Sequence, residues 1–78
     1  MAPEMEMRYN PTPRYFDAYT FKDRSGHDCR LQKSSLATED AIWLGTNKNM
    51  MHLTRDQVRD LLPQLIYFVM SGELKQPD

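Results

Sequence analysis

Seventy-eight residues make one small domain, which buries a modest share of its unfolded surface. With 40% hydrophobic and 27% charged residues the chain is globular rather than disordered. A formal net charge of −1 excludes a global pull toward nucleic acid or an anionic membrane, and it also argues against an acidic mimic of DNA. The single cysteine, Cys29, excludes a disulfide within the chain and suits a reducing cytoplasm. No apolar run reaches the roughly 20 residues of a membrane-spanning helix, and the N-terminus lacks the features of a signal peptide. These properties predict a soluble cytoplasmic domain.

Residues 1–14 contain Pro3, Pro11 and Pro13 and have no periodicity, so they are read as a flexible arm that frays unless something pins it. Met5, Met7 and Tyr9 are spaced by two, which leaves an edge strand as the alternative. A domain over residues 15–74 follows. Tyr15 to Lys22 is aromatic-rich and predicts a strand, with Tyr15, Tyr19 and Phe21 on one face and Phe16 and Ala18 on the other. Asp23-Arg24-Ser25-Gly26 predicts a turn, and Cys29 to Gln32 the returning strand of a hairpin.

Ser34 to Asp40 is a polar connection whose Ser34, Ser35 and Thr38 hydroxyls suit bonds to nearby backbone. Ala41 to Leu44 is wholly apolar, as in a central strand buried on both sides, and Gly45 is expected to end it. Thr46 to Asn49 carries turn chemistry, and Met50 to Leu53 predicts a fourth strand.

Leu53 to Gly72 has the strongest signals in the chain. Thr54 and Gln57 form the pattern of a capping box, Leu53 and Val58 that of a hydrophobic staple, and Gly72 a left-handed stop. Val58, Leu61, Leu62, Leu65 and Val69 make one apolar stripe, edged by Phe68. Ile66 and Met70 lie off that stripe beside Pro63 and Tyr67, so the apolar arc spans roughly 200°. The inner stripe is expected to cover the sheet, with Trp43 packed under Leu61, Leu65 and Val69. The outer face of Pro63, Ile66, Tyr67 and Met70 is left for a loop, a second copy in a homodimer, or a partner. Residues 75–78 are expected to fray, with Leu74 tucking back onto the core. The expected fold is α+β: an antiparallel sheet of about four strands in the order β-β-β-β-α, covered on one face by a single C-terminal helix.

No catalytic constellation emerges. His27, Cys29 and His52 match no metal-ligand spacing, so neither a metal site nor a cofactor is predicted, and Cys29 suits packing better than nucleophilic work. No carboxylate pair stands out, and three scattered glycines make no phosphate loop. Lys22, Arg24, Arg30 and Lys33 cluster near Tyr19 and Phe21 around the first hairpin, a pattern that can grip a single strand of nucleic acid. Asp23 and Asp28 dilute that charge, and a solvated hairpin is favoured.

Residues 21–74 resemble a family of small phage and prophage proteins of uncharacterised function. The shared signature is Leu31-Gln32-Lys33-Ser34-Ser35, then Glu39-Asp40-Ala41-Ile42-Trp43-Leu44-Gly45, then Met51-His52-Leu53-Thr54, the helix and Gly72-Glu73-Leu74. Longer members carry extra residues where this chain has only Thr46 to Asn49. The resemblance implies a viral accessory protein in the cytoplasm of a bacterial host. By class analogy it implies a non-enzymatic binder of a host protein, inhibiting a host pathway or defence system such as CRISPR. The alternative is a small nucleic-acid-binding regulator using the first hairpin.

Overall fold

The computed structural model describes residues 7–9 and 18–77. Among these residues five strands, β1 (Arg8–Tyr9), β2 (Ala18–Lys22), β3 (Asp28–Lys33), β4 (Ala41–Thr46) and β5 (Met50–Thr54), precede one helix, α1 (Arg55–Ser71). The strands form a single antiparallel meander in sequence order, so β1 and β5 are its edges. The class is α+β, with one strand more than the four expected.

The additional strand comes from the N-terminal arm, where Arg8 faces Thr20 and Tyr9 faces Tyr19. The edge-strand alternative therefore holds at Arg8–Tyr9, and the arm is not frayed there. Its remaining residues, and Tyr15 and Phe16 of the expected first strand, lie outside the described residues.

Register divides the sheet into two chemically different faces. Tyr9, Tyr19, Leu31, Leu44 and Met51 lie in one cross-strand row, flanked by rows Phe21-Cys29-Thr46 and Lys33-Ile42-Leu53. The opposite face carries Arg8-Thr20-Arg30-Gly45-Met50 and Ala18-Gln32-Trp43-His52. The first face is apolar and the second mixed, as in an antiparallel sheet built for one covering layer.

Turn chemistry fixes that register. In the β2–β3 turn, the Asp23 carboxylate accepts from the amides of Ser25 and His27, both at 2.9 Å. Gly45 does not end β4, which continues to Thr46. It sits at φ +151° opposite Met50, where an added Cβ would lie 2.5 Å from the Asn49 carbonyl oxygen. Only glycine lets the β4–β5 hairpin close this tightly.

The buried interior is small. Among the described residues only Ala18, Cys29, Ala41 and Ser34 are buried, and no large side chain is fully enclosed. The expected packing of Trp43 beneath Leu61, Leu65 and Val69 is overturned. Trp43 shares its face with His52, whereas the helix approaches the face that carries Ile42 and Leu53. Residues 41–44 are correspondingly half-buried beyond Ala41, not enclosed on both sides.

Candidate functional site

The helix begins without any connecting residue, because Thr54 ends β5 and caps α1. Its hydroxyl accepts from the Gln57 amide at 3.1 Å, and the Gln57 side chain accepts from the Thr54 amide at 2.9 Å. Asp56 places negative charge in the first turn, where the helix dipole favours it, and bonds Arg59 at 3.0 Å. At the other end Gly72 adopts φ +78° and donates to the Phe68 carbonyl at 2.8 Å. The expected start and stop are both present, and the helix is continuous through Pro63.

Capping defines the helix but does not bring it onto the sheet. No residue of α1 is buried, and among the described elements it packs chiefly beside β5 through its first turns. There Val58 and Leu62 face Ile42 and Leu53 across an open cleft of about 540 Å³. Asp40 ties this junction, accepting from Lys33 at 3.1 Å and lying 3.7 Å from Arg55. The bond from Lys33 holds the Asp40 carboxyl below the ordinary carboxylate range, with Arg55 adding to it.

Beyond the second turn the helix stands clear. Leu65 is 53% exposed, Val69 82% and Met70 83%. The expected contact residues Pro63, Ile66, Tyr67 and Met70 are all exposed, and helical geometry brings them onto one side. Leu61, Leu62, Leu65, Phe68 and Val69, expected to cover the sheet, are exposed as well. The expectation that the helix covers a sheet face is corrected accordingly: among the described residues α1 meets the sheet at its base.

The C-terminal residues also depart from expectation. Gln64 donates to the Lys75 carbonyl at 3.1 Å and accepts from its amide at 2.8 Å, so the chain is held against the helix at Lys75 instead of fraying. Leu74 remains 60% exposed and does not tuck onto a core.

A polar cluster on the mixed sheet face was not legible from sequence. The Trp43 and His52 rings stack with centroids 3.9 Å apart and planes 8° from parallel. His52 Nε2 lies 2.9 Å from Ser34 Oγ, which accepts from the Leu36 amide at 3.1 Å. Ser34 is 5% exposed and committed to these partners, which makes it an anchor for the β3–β4 connection. The only sequence hint was hairpin register, which sets His52 opposite Trp43 once Gly45 faces Met50.

The four basic residues of the first hairpin do not form one surface. Lys22 and Arg30 project from the mixed face, Lys33 lies on the apolar face, and Arg24 is in the turn. Lys22 bonds Asp28 at 2.7 Å, which raises the lysine pKa and lowers that of the aspartate. Arg30 donates to Gln32 at 3.3 Å. Of His27, Cys29 and His52, which were not predicted to form a metal site, Cys29 and His52 occupy opposite faces of the sheet. No group of three or more His, Cys, Asp or Glu side chains is placed to hold a metal among the described residues. No described helix is long and apolar enough to cross a membrane. Compared with protein-family models, curated proteins and solved structures, the chain matches none.

Proposed function

We propose that this chain is a non-enzymatic binding protein whose contact element is the outer face of α1, read as Pro63, Ile66, Tyr67 and Met70. The observation that carries this is the combination of a doubly capped helix with large apolar side chains standing exposed along it. A preformed helix spends little conformational entropy on docking, and an amphipathic face laid into a partner's groove is a recurring recognition mode. Contiguous exposed apolar surface beyond a few hundred Å² marks interaction sites in soluble proteins.

The resemblance to small phage proteins supports the biological setting. In that setting the partner is a host protein in the bacterial cytoplasm, and binding inhibits a host pathway or defence system such as CRISPR. Affinity capture from bacterial lysate, comparing the wild-type chain with a Tyr67→Asp/Met70→Glu variant, tests the assignment. A stoichiometric partner retained by wild type and lost by the variant is expected. Equal capture by both would end the assignment of this face.

A further inference from the structure

The chain carries two incomplete halves of one hydrophobic core. One is the apolar sheet face, where Met51 is 52% and Tyr19 37% exposed, Leu31 and Leu44 are half-buried, and no described element lies across the row they form. The other is the inner stripe of α1, with Leu61, Leu65, Phe68 and Val69 in solvent. A sheet with one apolar face requires a second layer, and an amphipathic helix requires something to lie on. Neither need is met among the described residues, where the helix leaves β5 without a loop and packs on the sheet at its base.

We infer that the occupant of both surfaces is a second copy of this chain, in a two-fold dimer in which each helix lies across the apolar sheet face of its partner. Three observations favour this occupant. The two surfaces are complementary in kind, helix stripe to sheet face, and they occur once each on every chain, as a closed two-fold exchange requires. The helix is about 25 Å long at 1.5 Å per residue, and five strands spaced about 4.8 Å apart make a sheet of similar breadth. Leu61, Leu65, Phe68 and Val69 on the stripe and Tyr19 and Met51 on the sheet each leave more than a third of their surface in solvent, and a standard stable interface takes roughly 800 Å² from each partner. This dimer uses the inner stripe and leaves Pro63, Ile66, Tyr67 and Met70 facing outward, so it stands or falls independently of the proposed partner face.

Light scattering on the eluting full-length protein is the first test. It should give about twice the 9.2 kDa chain mass. Leu65→Glu/Val69→Glu on the helix, and separately Tyr19→Glu/Met51→Glu on the sheet, should each reduce the species to a monomer. Both pairs sit at exposed positions of the single chain. A wild-type monomer at about 100 μM would overturn the inference. So would a dimer that the helix pair dissociates and the sheet pair leaves intact, since that result means helix-on-helix packing. A measurement independent of those variants uses a spin label on Asp60→Cys in a Cys29→Ser background, mixed with unlabelled-tag, ¹⁵N-enriched wild-type chain. Broadening of the Leu31, Leu44 and Met51 amides in the enriched chain supports the exchange, and broadening confined to α1 amides refutes it. The Tyr67→Asp/Met70→Glu variant should remain dimeric.

Discussion

The sheet and the helix of this protein are ordered by different means. In the sheet, each strand is fixed by its neighbours: side chains pair across strands, tight turns set the register, and the Trp43–His52–Ser34 cluster ties a connection to an edge. In the helix, order is local. A capping box, a first-turn ion pair, a left-handed stop and the Gln64–Lys75 bonds are all made within the helix or to residues just outside it. The difference teaches that a segment can be specified completely as secondary structure while its tertiary placement stays open. Removing a side chain in the sheet should be felt by the fold, whereas removing one from the upper helix should not.

Substitutions can break or sharpen this contrast. Trp43→Ala removes the ring stacked on His52 and should cost about 3 kcal/mol, the lower end of the range for aromatic truncation because Trp43 is half-buried. The urea midpoint measures this, and an unchanged midpoint would show that the stack does not hold the sheet. Gly45→Ala forces a side chain into a φ of +151° and against the Asn49 carbonyl. A loss of about 2 kcal/mol is expected, read from the same denaturation curve, with the β4–β5 amides losing exchange protection first.

On the helix side, Thr54→Ala removes a hydroxyl that accepts at 3.1 Å and should cost about 1 kcal/mol, seen as earlier fraying of the first turn in hydrogen exchange. Leu65→Ala is the sharpest comparison. In the monomer, at concentrations where self-association is absent, it should change stability by less than about 0.5 kcal/mol, as at other exposed positions. A buried leucine would cost about 2–5 kcal/mol, so a loss of that size in a proven monomer would mean that α1 is packed after all.

The smallest expected effect is electrostatic. Asp23, Asp28 and Asp40 have lowered pKa values, caused first by the His27 amide, the Lys22 ammonium and the Lys33 ammonium respectively. A carboxyl with a folded pKa below its unfolded value adds stability that is present above about pH 4 and lost as pH falls through the folded value. The midpoint of thermal unfolding should therefore fall slightly from pH 5 toward pH 2, and less so in Asp40→Asn. All three pairs are solvent-exposed, so the effect should shrink further in high salt. It should also show in the hairpin and junction amides before those of the upper helix.

The sequence by itself determined the elements whose signals are local. Thr54, Gln57 and Gly72 specified both ends of the helix, because caps act on the nearest backbone groups. Tyr19 and Phe21 specified their shared face, because strand periodicity is two residues wherever the strand lies. The residues of the proposed contact face were legible for the same reason, as positions on a helical wheel. What only the tertiary structure decided was which surfaces meet. The apolar run Ala41 to Leu44 suggested burial on both sides, yet parity sends Trp43 to one face and Ile42 and Leu44 to the other, and the helix approaches only the second. The pairing of Ser34 with His52 spans eighteen positions and depends on two hairpin registers at once. The inner stripe of α1 had the periodicity of a core helix, but periodicity records that a face is apolar and not where the chain can reach. In the structure α1 follows β5 with no loop between Thr54 and Arg55 and meets the sheet at its base, beside Ile42 and Leu53.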